Sequence, residues 1–148
     1  MKGKMLVACT MASLCIASAI PTYAANHEFA YQFYGYIGER MPNGEAGLPS
    51  NVGYAKSDNE QSYYLTLDKK KGNTKNTLSS KNILGCRMHR QDEKKTVDSY
   101  HTFTNYVQKH KIPYTAKVSK GTKMYLCFQK DSSSKSKKVL LVSGRYAP

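Results

Sequence analysis

The sequence predicts an all-β domain, a small antiparallel sandwich or barrel, with one short helix as the alternative for a single segment. Three observations carry the prediction. Apolar and polar residues alternate in several short runs, aromatic and β-branched types fill those runs, and Gly-, Pro- and Asn-rich stretches separate them. With 12 tyrosines, four phenylalanines and no tryptophan, the bulky atoms of any core come from Tyr and Phe.

The first element is not part of that domain. Lys2 and Lys4 precede an uncharged run from Met5 to Ile20, then the helix-breaking Pro21 and the triplet Thr22-Tyr23-Ala24, with small residues at the two positions that a signal peptidase reads. Residues 1–24 are therefore expected to be a secretory signal peptide cleaved after Ala24. The run is too short and too rich in Ser, Thr, Ala and Cys to span the roughly 30 Å of a bilayer core. Too little apolar sequence precedes Cys9 for lipid attachment there. Removal leaves 124 residues, 25–148, enough for one exported domain with a core of its own.

A first strand is expected over Phe29 to Ile37, where Phe29, Tyr31, Phe33 and Ile37 share the core face and Tyr34 and Tyr36 face outward. Pro, Gly and Asn make Met41 to Asn51 a loop. Gln61 to Leu67 alternates again, with Tyr63, Leu65 and Leu67 on one side, and a charged turn follows from Asp68 to Thr77. Asn82 to His89 reads as the next strand, with Ile83, Leu84 and Met88 apolar. Residues 91–111 fit two readings. Tyr100, Phe103, Tyr106 and Val107 have helical spacing behind a cap at Asp98 or Ser99, but the Thr, Tyr and Phe content favours a strand or irregular crossing. Pro113 ends whatever precedes it. Thr122 to Gln129 and Lys138 to Tyr146, joined by the polar "KDSSSKSK", read as a hairpin.

Charge is distributed unevenly along this chain. Residues 25–68 hold six acids against two cations, residues 69–148 hold 19 Lys and Arg against four acids, and the mature net charge is +11. Such an excess attracts polyanions. Outside a cell these are wall polymers, anionic lipid head groups, glycans and shed nucleic acid. The competing reading is that the lysines solvate a β surface and protect its edges. Arg87, Arg90, Lys117, Lys123 and Arg145 fall where strands would hold cations in fixed array, and with Tyr34 and Tyr36 they are the candidate binding residues. Lys69 to Lys71 and Lys135 to Lys138 read as solvated turns.

Chemistry-bearing motifs are few. No Gly-x-Ser-x-Gly elbow and no His-Glu-x-x-His is present. Cys86, His89, His101 and Cys127 are metal-ligand types, but their irregular spacing points away from a site, and no metal or cofactor is expected. In an oxidising compartment the pair left after signal removal, Cys86 and Cys127, is expected to form a disulfide, which would stabilise by roughly 4 kcal/mol on the chain-entropy model. As an enzyme the chain would be a basic nuclease, with His89 or His101 moving a proton and Arg87, Arg90 or Lys109 steadying a phosphate. Asp92 and Glu93 are adjacent and point to opposite faces of a strand, unsuited to working as a pair.

The tyrosine-rich first strand, the basic middle and the ending "VSGRYAP" resemble a group of short exported proteins of Gram-positive bacteria without assigned activity, many of which end in Val-Ser-Gly-x-aromatic-Pro. The likeness covers residues 29–37 and 139–148, with Tyr146 where tryptophan is usual. It implies export and a β-rich fold. A second similarity is to small secreted β-sandwich bacteriocins acting on the cell envelope. The reading that follows is a secreted basic protein that binds an anionic extracellular or cell-envelope surface without catalysis, with a bacteriocin-like toxin and a secreted nuclease as alternatives.

Overall fold

The computed structural model describes residues 25–34, 53–69, 77–92 and 95–148. They form eight strands: β1 (His27–Phe33), β2 (Tyr54–Ala55), β3 (Ser62–Leu67), β4 (Leu84–Arg90), β5 (His101–Phe103), β6 (His110–Pro113), β7 (Lys123–Lys130) and β8 (Leu140–Ala147). Two four-stranded sheets result, β1-β8-β3-β6 (sheet A) and β2-β7-β4-β5 (sheet B), with every pairing antiparallel. This is the arrangement of a small β-sandwich. No helix occurs among the described residues; within 91–111 the described chain supplies β5 and the start of β6, so β propensity prevails over the helical spacing there.

Alternation places the core between the sheets. Phe29 and Phe33 from β1, Tyr63, Leu65 and Leu67 from β3, and Leu84 and Met88 from β4 are all buried, as their spacing predicts. Phe29 meets Phe128 of the opposite sheet with ring centroids 4.6 Å apart, and burying such a ring contributes roughly 1.5–3 kcal/mol. Tyr31 is only half-buried, at the margin of this cluster. Tyr36 and Ile37, and the loop from Met41 to Asn51, lie outside the described residues. At Gly144 a side chain would collide with the Thr66 carbonyl, because β8 and β3 run close together there.

Two expectations are corrected by the pairing. β7 and β8 are not a hairpin: β7 pairs with β2 and β4, β8 with β1 and β3, and the connection between them crosses from one sheet to the other. Hairpins favour loops of about two to five residues. The longer polar linker here lets two amphipathic strands meet face to face across the core, which buries Met124, Leu126 and Phe128 against Leu140 and Val142.

The predicted disulfide fails for a related reason. Cys86 lies opposite Phe128 and Cys127 opposite Arg87 in the β4–β7 register. Neighbouring residues point to opposite faces, so Cys86 faces the core and Cys127 the outside, and both remain thiols. Burial, reinforced by the nearby Asp98 carboxylate, holds the Cys86 thiol well above its ordinary range, which makes it a packing residue.

Asp98 joins the sheets. Its carboxylate accepts from the Tyr63 hydroxyl of β3 at 2.7 Å and from the Met88 amide of β4 at 2.9 Å. Burial pushes this carboxyl above the usual carboxylate range, although both donors pull the other way.

Candidate functional site

One end of the sandwich gathers a group of cations on a bonded frame. Three segments meet there, and backbone hydrogen bonds fix them to one another: Arg90 N–H to Lys95 O, Gln91 N–H to Lys123 O, Thr115 N–H to Val97 O, and Gly121 N–H to Lys56 O, all between 2.7 and 2.9 Å. The loop from β6 to β7 is held further by Gln61, whose side-chain amide donates to the Val118 carbonyl and accepts from the Val118 amide, each at 2.9 Å. Val118 is buried as a plug, and its neighbours Lys117, Ser119 and Lys120 are exposed. A side-chain amide that makes both bonds to one peptide copies a β-bridge, which makes the loop part of the scaffold.

Lys95, Lys117, Lys120 and Lys123 all project from this end and are exposed. With Arg90 and the buried Lys56 they make six cations against two carboxylates, Asp58 and Asp92, a net of +4 among the described residues. Both carboxylates are engaged. Asp92 receives Arg90 in two bonds, Nε to Oδ1 at 3.1 Å and Nη2 to Oδ2 at 2.8 Å. Asp58 accepts from Lys56 Nζ at 2.6 Å, and the same ammonium sits 5.5 Å from the Tyr114 ring centroid. Lys117, Lys120 and Lys123 form no ion pair with a described residue.

Of the candidates read from sequence, Arg90, Lys117 and Lys123 thus come together. Arg87 extends the group along the outer face of sheet B: from Lys123 the row runs through the stacked rings of His89 and Tyr125, with centroids 5.4 Å apart, to Arg87, a reach of about 13 Å at 3.3 Å per residue. The Arg87 guanidinium lies 5.1 Å from the Tyr100 ring centroid. Tyr100 in turn covers Gly85, where any side chain would collide with it, and donates to Asp131 at 2.6 Å.

Arg145 does not join them. It sits on the outer face of sheet A, opposite Glu28 in register and 3.3 Å from the Asp68 carboxylate. Tyr34 is 67% exposed but follows the end of β1 that pairs with Leu140. The Lys130 ammonium reaches the Lys138 carbonyl there, which identifies this as the far end of β7, about 23 Å from Lys123. That far end carries Lys81, Lys135, Lys137 and Lys138, linked by a bond from Ser136 N–H to Lys81 O. Tyr36 lies outside the described residues. Lys95 and Lys120 fall inside the basic stretches 87–95 and 109–123 without being singled out as site residues; for Lys120 the available signal was the three-residue spacing of Lys117, Lys120 and Lys123 after Pro113.

Two arrangements considered from sequence do not form. Cys86 and His101 point inward while His89 and Cys127 point outward, so those four ligand types are split by the sheet, and no three His, Cys, Asp or Glu side chains converge on a metal-sized point among the described residues. The same split separates the two histidines of the nuclease reading. His101 Nε2 is buried without a partner, and Lys109 stands on the other sheet's side, its amide bonded to Thr66.

No family model, no curated protein and no solved structure matches the chain. Among the described residues no helix is long and apolar enough to cross a membrane.

Proposed function

We propose that this is an exported protein, released by cleavage after Ala24, that binds an anionic polymer or surface outside the cell or on its envelope without transforming it. The observation that supports the reading is the end of the sandwich where Lys95, Lys117, Lys120, Lys123 and Arg90 stand on three mutually bonded segments. Lysines on a stiff frame lose little extra order when they meet a polyanion, and each displaces counterions from it. A solvated protective surface needs no such frame: its lysines would be spread over the edge strands.

The test is retention of the purified protein on anionic matrices across a salt series. Each phosphate contact contributes a slope of about 0.7–0.9 in log affinity against log salt. Replacing Lys117, Lys120 and Lys123 together with Ala is expected to lower the slope by about two units and the affinity at least tenfold at moderate salt. Lys111→Ala and Arg145→Ala, whose cations are already paired, are expected to change affinity less than about twofold. Retention indifferent to salt, or to the triple substitution, refutes the reading. Turnover of RNA or DNA by the same preparation would replace it with the nuclease alternative.

A further inference from the structure

Cleavage after Ala24 would make Ala25-Asn26-His27 the first three residues of the exported chain. The structure holds the three unequally. Ala25 and Asn26 are exposed and precede the β1–β8 pairing, which begins at His27↔Tyr146. The His27 ring is half-buried between β1 and β2, the edge strands of the two sheets. It lies flat on Tyr54 of β2, with ring centroids 3.4 Å apart and planes inclined by 13°, and its centroid is 5.7 Å from that of Tyr146 in β8. Burial lowers the pKa of His27 from its ordinary value, so the imidazole is neutral at physiological pH and one ring nitrogen keeps a lone pair for a ligand.

We infer that the exported N-terminus, Ala25-Asn26-His27, binds a divalent transition-metal ion in a square-planar set of nitrogens, Cu(II) ahead of Ni(II). The donors are the α-amine of Ala25, the backbone nitrogens of Asn26 and His27, and Nδ1 of the His27 imidazole. Covalent geometry sets the match. The amine and the two backbone nitrogens close two five-membered chelate rings on the ion, and the side chain of a histidine in third place closes a six-membered ring. Both amides give up their protons to the metal, because a bound cation reverses the ordinary pKa order of its ligands. A tetragonal nitrogen set suits Cu(II) and Ni(II), with Cu(II) the tighter, whereas zinc takes tetrahedral sets. One side-chain ligand is enough, so the site needs no cluster of His, Cys, Asp and Glu, and none occurs among the described residues. The fold assists in two ways. His27 opens the β1–β8 ladder, so recruiting its backbone nitrogen costs no more than the first rung. A coordinated imidazole lies in the plane of the other donors, so with the stack retained the Tyr54 ring covers one face of the chelate and keeps an axial water from it. The inference goes beyond the binding of a polyanion but rests on the cleavage proposed above, which frees the amine.

The experiment sequences the N-terminus of the exported protein and then titrates it with Cu(II) and with Ni(II). One equivalent of either ion is expected to bind with the visible band of a square-planar complex, and electron paramagnetic resonance of the Cu(II) form should show four nitrogen donors. At about pH 6.5 each Cu(II) should release about three protons, two from amides and one from an α-amine whose ordinary pKa is about 7.7–8.0. His27→Ala, and separately one extra alanine ahead of Ala25, are each expected to abolish the band and weaken binding at least about a hundredfold, since a lost ligand costs more than a change behind one. The insertion leaves every side chain of the fold in place, Cys127 and the other histidines included, so it separates this site from adventitious binding by a thiol or an imidazole. A square-planar band that survives the insertion, or its absence in a chain that begins at Ala25, overturns the inference and leaves the reading of export intact. An exported chain that begins at any other residue refutes the cleavage site and the inference together, while salt-dependent retention at the cationic end stands or falls on its own test.

Discussion

The outer faces of the two sheets carry cations in opposite states. On sheet A, Arg145 is met by Asp68 and faces Glu28, while Lys111 is held by Glu60 at 2.6 Å. On sheet B and the loops at its end, Lys117, Lys120 and Lys123 have no carboxylate from a described residue, and Arg87 rests on a tyrosine ring. The −4 of residues 25–68 explains the difference, since that segment supplies Glu28, Glu60 and Asp68 to sheet A. The outward-facing strand cations are therefore matched by carboxylates on sheet A and not, among the described residues, on sheet B. Net charge alone would have assigned binding to both.

The largest test removes what the two faces share. Asp98→Ala leaves the Tyr63 hydroxyl and the Met88 amide without their acceptor inside the core, and a cost of about 3 kcal/mol is expected. The urea midpoint reads it, with a drop of about 2 M at an ordinary m-value. The sign of the pH dependence is separately checkable. Because burial raises the folded-state pKa of Asp98 above its unfolded value, its contribution is most favourable below the unfolded pKa near 4 and is lost as pH rises through the folded pKa. Asp98→Asn should abolish that downward slope even though it too is destabilising. A midpoint unchanged in Asp98→Ala would mean that the sheets are not joined through this carboxylate.

A smaller effect distinguishes the faces of sheet B. Cys127 is half-exposed on the outside and Cys86 is buried, so one thiol is expected to react with a maleimide in the folded protein and two in denaturant, with peptide mapping locating the first at Cys127. A mapped Cys86–Cys127 bridge in native material would refute the register Arg87↔Cys127 and, with it, the row from Lys123 to Arg87.

How much of this was legible in the sequence divides along the same lines. The inward positions of β3 and β4 were readable because alternation within a strand is local. Partnership between strands was not. The linker from Asp131 to Val139 invited a hairpin because it is polar and lies between two β runs, but only the apposed core faces decide that β7 and β8 belong to different sheets. The cysteine pairing failed on the same point, since one residue of register moves a side chain to the other face. Site residues were legible by type and not by place: Arg145 and Arg90 look alike in sequence, and the Asp68 that meets Arg145 lies 77 positions away in the chain. Lys120 was not singled out because a loop lysine reads as solvated until a residue such as Gln61, some 57 positions from Val118, is seen to pin the loop.

The smallest expected effect sharpens the comparison from sheet A. The Lys111 ammonium, helped by the Tyr64 hydroxyl, pulls the Glu60 carboxyl down from 4.5 to about 2. Its depressed pKa gives a contribution present above the unfolded value and lost as pH falls from 4.5 through about 2, opposite in direction to that of Asp98. The pair is exposed and screened, so the readout is the titration itself. In Lys111→Ala the Glu60 midpoint, followed by carboxyl NMR, should climb by about one unit or more without regaining 4.5, because the Tyr64 and Ser62 hydroxyls still donate to it. Polymer binding should stay as it was. A midpoint that does not move would show that Lys111 is as available as Lys117, and the contrast between the two faces would lose one of its two pairs.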